Sequence, residues 1–261
     1  SVYAELQNTE INTTLSDWTS ENATFYNRQF FREPITGMVT DKLLAEVTDK
    51  NVNYPRFSSY DLQLGIREII RDADYVGGYA QHGNKMVGTG SAEQKATLTF
   101  KRDGKVQVVI SSRNFIIRPE RIGAEHAGFT CYHETDSIHH PDLAVRYVVE
   151  ERTLTLTRSS QQGISMPFVD SWHQVDILVD AISWKIDDPL MEMKMTTGMG
   201  ESKMQVESGA LYTDERFQQI QGMADVSPLF TIKQYAEKNS RYIYPVDLSR
   251  FLRCSEQQAR S

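Results

Sequence analysis

The sequence has no long apolar run. Its longest apolar stretches, such as Val106–Ile110, have the length of a β-strand, whereas a helix needs about 18 apolar residues in succession to cross a bilayer. The N-terminus lacks an initiator Met, a basic segment and an apolar core, so the chain carries no export signal of its own, although one could have been removed. We expect no membrane span.

Cysteine is scarce, with two residues in a chain of 261. Cys131 and Cys254 lie far apart, so they form neither a CxxC pair nor a disulfide framework, and the redox compartment stays open. We expect each to be a buried or partly exposed free thiol, because unpaired Cys packs as a small hydrophobe.

The chain has no surplus of positive charge. It carries 28 Lys and Arg against 35 Asp and Glu, which gives a formal net charge of −7. Affinity for nucleic acid depends on clustered Lys and Arg that release counterions from phosphates. The composition therefore predicts no nucleic-acid partner.

Motifs of catalysis and cofactor binding are also missing: there is no GxSxG, no HExxH and no P-loop. Ser171, His173 and Asp176 have the residue types of a nucleophilic triad, but one strand cannot present all three together. The carboxylate pairs Asp72 with Asp74 and Asp187 with Asp188 have the residue types of the acid and base of a glycosidase. Each pair lies beside turn residues, where Asp commonly bonds to the backbone. We predict no enzyme activity, no catalytic residue and no cofactor.

Alternating apolar and polar residues dominate the middle of the chain. In Ala96–Ser112, two alternating runs flank Asp103-Gly104. Both central positions of a type I′ turn need a positive φ, which these residues tolerate, so the segment predicts a tight hairpin. Further strand pairs are predicted at Asp74–Gly90, Leu143–Thr157 and Val175–Met195. The fold class is therefore mainly β, built from antiparallel strand pairs.

A short sequence echo raises the question of a repeat. Ala96–Arg102 and Arg152–Arg158 share the pattern Thr-Leu-Thr with an apolar residue after it. The echo indicates either a stacked, solenoid-like β unit or only the usual composition of half-buried strands. A sandwich arrangement stays open beside the stacked one.

Composition divides the chain into three parts. Residues 1–35, rich in Asn, Thr, Ser and Glu, predict an irregular lead-in, and residues 36–210 predict a β-rich domain. Residues 211–261 predict a small helical unit, with a helix start at Thr213 and capping-box patterns at Thr231 and Ser255. The end resembles a helix-turn-helix that stops within the motif, which indicates a segment of a longer protein, and its balanced charge predicts no DNA binding.

Histidines crowd between His126 and His140, and they suggest a metal site. Zinc needs three or four converging N, S or O donors, and the candidates are Cys131, His133 and His139. The alternative is that these are exposed or hydrogen-bonded polar groups of a strand.

Aromatic residues offer a second hypothesis, because two or three on one exposed face would stack on sugar rings, while in a β core they only fill space. The aromatic candidates are Tyr79, Phe129, Tyr132, Trp172 and Trp184.

Several segments together resemble very long uncharacterised proteins of Bacteroidetes. The segments are Tyr75–Tyr79, Asp136–Leu143, Asp170–His173, Ala181–Pro189 and Arg216–Gly222. The resemblance covers about residues 54–261 and carries no known activity onto individual residues. It implies a bacterial source, a longer parent chain and a location in the cell envelope or periplasm.

These observations predict a non-enzymatic β-rich scaffold or interaction segment of a larger bacterial envelope protein. Its expected partners are neighbouring segments of the parent protein or other envelope proteins. A carbohydrate-binding module is the main alternative, and a structural metal site in the His-rich region is the second.

Overall fold

A computed structural model describes residues 2–43, 52–83, 85–158, 166–195, 203–208, 232–233, 235–236 and 245–252. The chain divides into two compact units, Ser1–Glu207 and Ser208–Ser261. The mainly β fold predicted from the sequence is confirmed, since eighteen strands lie among the described residues. The strands are β1 Val2–Leu6, β2 Asp17–Asn27, β3 Ile35–Lys42, β4 Arg56–Ser59, β5 Leu64–Ile70, β6 Ala73–His82, β7 Lys85–Thr89, β8 Ala96–Arg102, β9 Lys105–Ser112, β10 Asn114–Ile117, β11 Arg121–His133, β12 Asp136–Val148, β13 Thr153–Arg158, β14 Phe168–Asp170, β15 Val175–Leu178, β16 Ala181–Lys185, β17 Met191–Lys194 and β18 Gln205–Ser208.

Long strands divide their hydrogen bonds between two sets of neighbours. The first half of β6 pairs with β8 and its second half with β7. On one side, β8 pairs with β9, which pairs with the second half of β11. On the other side, β7 pairs with β10, which pairs with the first half of β11. The strands β6, β7, β10, β11, β9 and β8 thus form a closed circuit of antiparallel hydrogen bonds.

The same scheme recurs after β11, which pairs along its length with β12. The two halves of β12 pair with β14 and β13, which pair in turn with β15 and β16. Strands β18 and β17 then add to β15 and β16 in the positions that the two halves of β11 hold in the first circuit. Six strand positions are therefore repeated in the same order along the chain.

The sequence echo does not mark this repeat. Ala96–Arg102 forms β8, which pairs with the first half of its long strand, β6. Residues 153–158 of the second echo form β13, which pairs with the second half of β12. The two segments occupy different positions in the repeated order. Their likeness follows from the shared environment of half-buried strands.

Two bulges, the first with its extra residue on β11 and the second with its extra residue on β12, let the β11–β12 hairpin bend between the strand pairs of its two halves. The register against β12 shifts between Ala124 and Ala127 and again between Ala127 and Phe129. A bulge adds an unpaired residue and increases local twist, so the strand can change direction within one ladder. This bend separates the His-rich end of the β11–β12 hairpin from its other end.

The predicted irregular lead-in over residues 1–35 is wrong. It contains β1 and β2, and β2 pairs with β3. Phe25 is buried and stacks on Phe57 with ring centroids 4.2 Å apart, and the Asn27 side chain donates to the Tyr79 hydroxyl at 3.1 Å. The lead-in is part of the core because its aromatic residues pack on strands that lie more than 30 positions away.

The predicted hairpin at Asp103-Gly104 is confirmed. Arg102 pairs with Lys105, and the two central residues have φ values of 52° and 76°. Positive φ at both positions is the signature of the type I′ turn. The local turn chemistry was sufficient to place this element.

In the second unit the structure gives one helix with defined bounds, α1, over Pro245–Leu252. The side-chain hydroxyl of Ser249 donates to the Val246 carbonyl at 2.9 Å. The predicted helix start at Thr213 and the capping patterns at Thr231 and Ser255 lie outside the described residues, so the helical unit as a whole stays a prediction. In the described part of the chain, no helix combines the length and apolar character that a membrane crossing requires.

Candidate functional sites

The His-rich segment forms the β11–β12 hairpin, whose register separates the metal candidates. Cys131 is buried and pairs with Ile138, while His139 pairs with Thr130 and accepts or donates a hydrogen bond at the Thr130 hydroxyl, 3.1 Å away. Adjacent strand positions point to opposite faces of a sheet, so Cys131 and His139 lie on different faces. Within the described residues no three His, Cys, Asp or Glu side chains are close enough to hold a metal. The metal hypothesis gains no support from this geometry.

Cys131 is a core residue. Burial raises the pKa of its thiol to about 11, although nearby Arg102 acts in the opposite direction. Metal ligation and nucleophilic attack both need the thiolate, which is scarce at neutral pH when the pKa is this high. Cys131 therefore contributes packing. Cys254, the other predicted free thiol, lies outside the described residues.

His140 is also buried, on the face opposite to His139. Its Nε2 lies 3.2 Å from the Met166 carbonyl, and its Nδ1 accepts the backbone N–H of Asp142 at 3.2 Å. These two contacts fit a neutral ring with the proton on Nε2. Burial lowers the pKa of His140 below the ordinary value, so this ring stays uncharged at neutral pH.

The residues of the triad pattern enter separate networks. The Ser171 hydroxyl donates to Asp136 and accepts the Ser137 backbone N–H, both at 2.9 Å. His173 Nδ1 lies 2.7 Å from the buried carboxylate of Asp170. No hydrogen bond joins Ser171 to His173, and the two side chains hold the turn between β14 and β15. Asp170, which sequence reasoning did not single out, is the carboxylate that orders this turn.

Asp72 and Asp187 meet at one arginine. Arg152 donates to Asp187 through Nε at 2.5 Å and Nη2 at 3.0 Å, and to Asp72 through Nη2 at 3.1 Å. The side chain of Arg102 donates to the carbonyl of Ile186 beside it. We call Asp72, Arg102, Arg152 and Asp187 the turn cluster, since each lies in or next to a turn between strands.

The turn cluster does not have the electrostatics of an acid–base pair. The hydrogen bonds that Arg152 donates to Asp187 lower the pKa of that carboxyl below its ordinary value. A general acid at neutral pH needs a raised pKa instead. The two carboxylates hold turns from distant parts of the chain together.

The aromatic candidates are divided between the core and the surface. Trp172 and Tyr132 are about half exposed, at 48% and 45%. Trp172 packs edge-on against His133 with centroids 4.2 Å apart, whereas Tyr132 occupies the next strand position and points to the other face. No flat aromatic face forms from these five residues. The three core members are Tyr79, Phe129 and Trp184.

A basic groove lies at the other end of the β11–β12 hairpin, and sequence reasoning missed it. The cavity has a volume of about 790 Å³ and is lined by β10, β11, β12 and the loop before β8. Its cationic lining residues come from four separate stretches of sequence, and the name basic groove refers to them. They are Lys95, Arg113, Arg118, Arg121 and Arg146. Glu125, His126 and Asp142 also line it, with His126 Nδ1 3.1 Å from Asp142.

Four strands have a hydrogen-bonded neighbour on one side only among the described strands. They are β1, which pairs with β2, β5 with β6, β17 with β16, and β18 with β15. The outer N–H and C=O groups of such strands are available to another strand. Among the described strands, the repeated order therefore has an edge without a neighbour before its first circuit and another after its last.

Comparison with protein-family models, with curated proteins and with solved structures finds no match for this chain.

Proposed function

We propose that this chain is a non-enzymatic scaffold or interaction segment of a larger bacterial envelope protein. The observation that carries the proposal is the repeated strand order, which ends on β17 and β18, whose outer edges have no neighbour among the described strands. In the first circuit the equivalent strand, β11, is covered along its length by β12. The open pair is thus the place where the next strand of the same pattern adds.

Two finer features belong to this proposal. Residues 211–261 form a small helical unit that follows the β part, and the repeated strand sets stack along the parent chain. Charged residues on β17 protect its edge when no partner is present: Glu192 and Lys194 form an ion pair at 2.9 Å. Such charges are a common device against unwanted strand pairing.

Hydrogen exchange on the chain alone and within its parent protein tests the proposal. The backbone amides of Glu192 and Val206 should exchange more slowly in the parent, because a neighbouring strand then covers the edge. The matched control is β8, which is paired on both sides and should keep its rates. Equal exchange of β17 and β18 in both settings would contradict the scaffold function.

A further inference from the structure

We propose that the basic groove binds an acidic oligosaccharide through its carboxylate or sulfate groups. This inference goes beyond the proposed scaffold function, because it concerns a groove away from the edge strands, and it names the chemical class of one ligand. Arg118 and Arg121 flank the turn between β10 and β11. The Arg118 N–H donates to the Arg121 carbonyl at 2.9 Å and the Arg121 N–H donates back to the Arg118 carbonyl at 3.2 Å. Residues that exchange both bonds lie directly opposite each other, with their side chains on one face.

Two like charges directly opposite each other destabilise a strand pair. A third arginine adds to them, since Arg146 lies two positions before Val148, the partner of Arg121 on β12. Diagonal neighbours at this spacing are about 7–8 Å apart, within reach of long side chains. The three arginine side chains therefore start from neighbouring positions on one face of the sheet, and an anion bound between them would remove the repulsion.

These arginines lack the partners that other bases of the chain have. Lys101 bonds to Asp74 at 2.5 Å and Arg158 to Asp180 at 2.6 Å, as Arg152 does to its two carboxylates. Within the part of the chain that the structure describes, Arg118, Arg121 and Arg146 have no carboxylate or hydrogen-bond partner for their side chains. Among the described residues, no acceptor reaches the buried Nε atom of Arg118. A buried N–H group of this kind normally has a partner, and a bound anion would supply one.

The floor of the groove is open enough for a ring. Gly123 lies between Ile116 on β10 and Arg146 on β12. A Cβ at Gly123 would meet only the Val145 carbonyl oxygen, at 3.6 Å, so space remains above this strand. Ile116 is half exposed beside it and offers an apolar surface for the C–H face of a sugar.

The distribution of charge along the groove distinguishes between ligand classes. Glu125 lies four residues after Arg121 on β11, a separation of about 13 Å. At that end Glu125 and Asp142 line the groove together with Lys95 and Arg113. A uniform polyanion such as nucleic acid would meet carboxylates there, and the described lining of the groove includes no Phe, Tyr or Trp to stack on bases. An acidic sugar chain carries both the anion for the arginines and the hydroxyl groups that donate to carboxylates.

Calorimetric titration of the full chain tests the inference with four probes of similar length. They are an oligogalacturonate, a sulfated heparin oligosaccharide, a neutral gluco-oligosaccharide and single-stranded DNA. We expect one or both acidic oligosaccharides to bind and the neutral one to bind at least about tenfold more weakly. Tightest binding of DNA, or equal binding of the neutral sugar, would overturn the ligand class.

Variants locate the site. Arg121→Gln should weaken acidic-oligosaccharide binding about tenfold or more, because a charge-assisted hydrogen bond is lost. Gly123→Leu, which fills the floor without moving the backbone, should weaken it as well. The control Lys105→Gln removes one exposed charge from β9 outside the groove and should leave binding within about twofold. Equal loss in the control would show that net charge alone attracts the ligand and would overturn the site.

Failure of this inference can be told from failure of the scaffold function. If no acidic oligosaccharide binds while β17 and β18 gain protection in the parent, the ligand assignment is wrong and the scaffold function stands. If the oligosaccharide binds but the edge strands exchange equally in both settings, the scaffold function is wrong and the groove assignment stands.

Discussion

At the turn cluster, Arg152 is 14% exposed and donates to two carboxylates that come from turns 80 and 35 residues away. In the basic groove, Arg118 and Arg121 lie opposite each other and find no acid among the described residues. Both regions gather arginine at a strand end. The turn cluster completes its hydrogen bonds within the chain, so it contributes stability, whereas the groove leaves its donors available for a ligand.

The largest expected effect comes from Arg152→Ala, which leaves Asp72 and Asp187 without their shared donor. We expect a loss of about 2–4 kcal/mol in the free energy of unfolding, because charge-assisted hydrogen bonds and the packing of the arginine stem are lost together. Urea denaturation measures it. Arg152→Lys should recover part of the loss, and a change below about 0.5 kcal/mol for the alanine variant would remove the structural role of the turn cluster.

A neighbouring turn provides the second test. Gly104→Val places a β-branched residue at a φ of 76°, so it should destabilise the chain by about 1–3 kcal/mol. A Cβ at this position meets no atom within 4 Å, so the effect would come from the backbone conformation and not from a clash. Denaturant melts of Gly104→Asn, which tolerates positive φ, should show a smaller loss. Equal losses would point to another turn type.

The third test concerns His140 on β12, which belongs to neither region. Burial lowers the pKa of His140, and that of His82 shifts in the same direction for the same main reason. A base with a depressed folded pKa stabilises the fold above its unfolded pKa, about 6.5, and this stability is lost as the pH falls below it. We expect the free energy of unfolding to fall as the pH is lowered from 7.5 to 5.5.

Paired variants assign this pH dependence. His140→Gln should flatten part of the profile from pH 7.5 to 5.5, because Gln keeps hydrogen-bonding groups without the titration. His82→Gln should flatten the rest of the profile, because the pKa of His82 is lowered as well. A wild-type stability that rises toward pH 5.5 would contradict the neutral, buried state of His140.

The smallest expected effect is at the groove. Arg121→Gln should change the free energy of unfolding by no more than about 0.5 kcal/mol, and a small gain is expected because repulsion with Arg118 is relieved. The same denaturation assay compares it with Arg152→Ala. A loss as large as that of Arg152→Ala would mean that Arg121 has a structural partner and would end the contrast between the two regions.

Local patterns predicted the parts of this fold that depend on neighbouring residues. Asp103-Gly104 between two alternating runs specified its turn, and the alternation over Ala96–Ser112 specified the two strands. The lead-in was missed because β2 is largely polar on its outer face, and its buried residues, such as Phe25, are fixed by partners on β3 and β4. Strand pairing over long distances has no signal in a short window of sequence.

Long-range strand pairing also decides which candidate residues come together. The His-rich segment drew attention because its residues are close in sequence, yet the register placed Cys131 and His139 on opposite faces. The groove arginines are spread over 34 positions from Arg113 to Arg146 and are gathered by the register of three strands. Only Arg118 and Arg121, on either side of Pro119-Glu120, could have been brought together from the sequence, because Pro at the second position favours a β-turn.

The central claim is that the arginines of the groove are available to an anionic ligand while the arginine of the turn cluster is not. Nitrogen-15 NMR of the arginine Nε–H groups, titrated with an oligogalacturonate or a sulfated oligosaccharide, tests it residue by residue. We predict that the resonances of Arg118, Arg121 and Arg146 shift on titration and that the resonance of Arg152 does not. Shifts of Arg152 as large as those of the groove, or unchanged groove resonances with both ligands, would contradict the account.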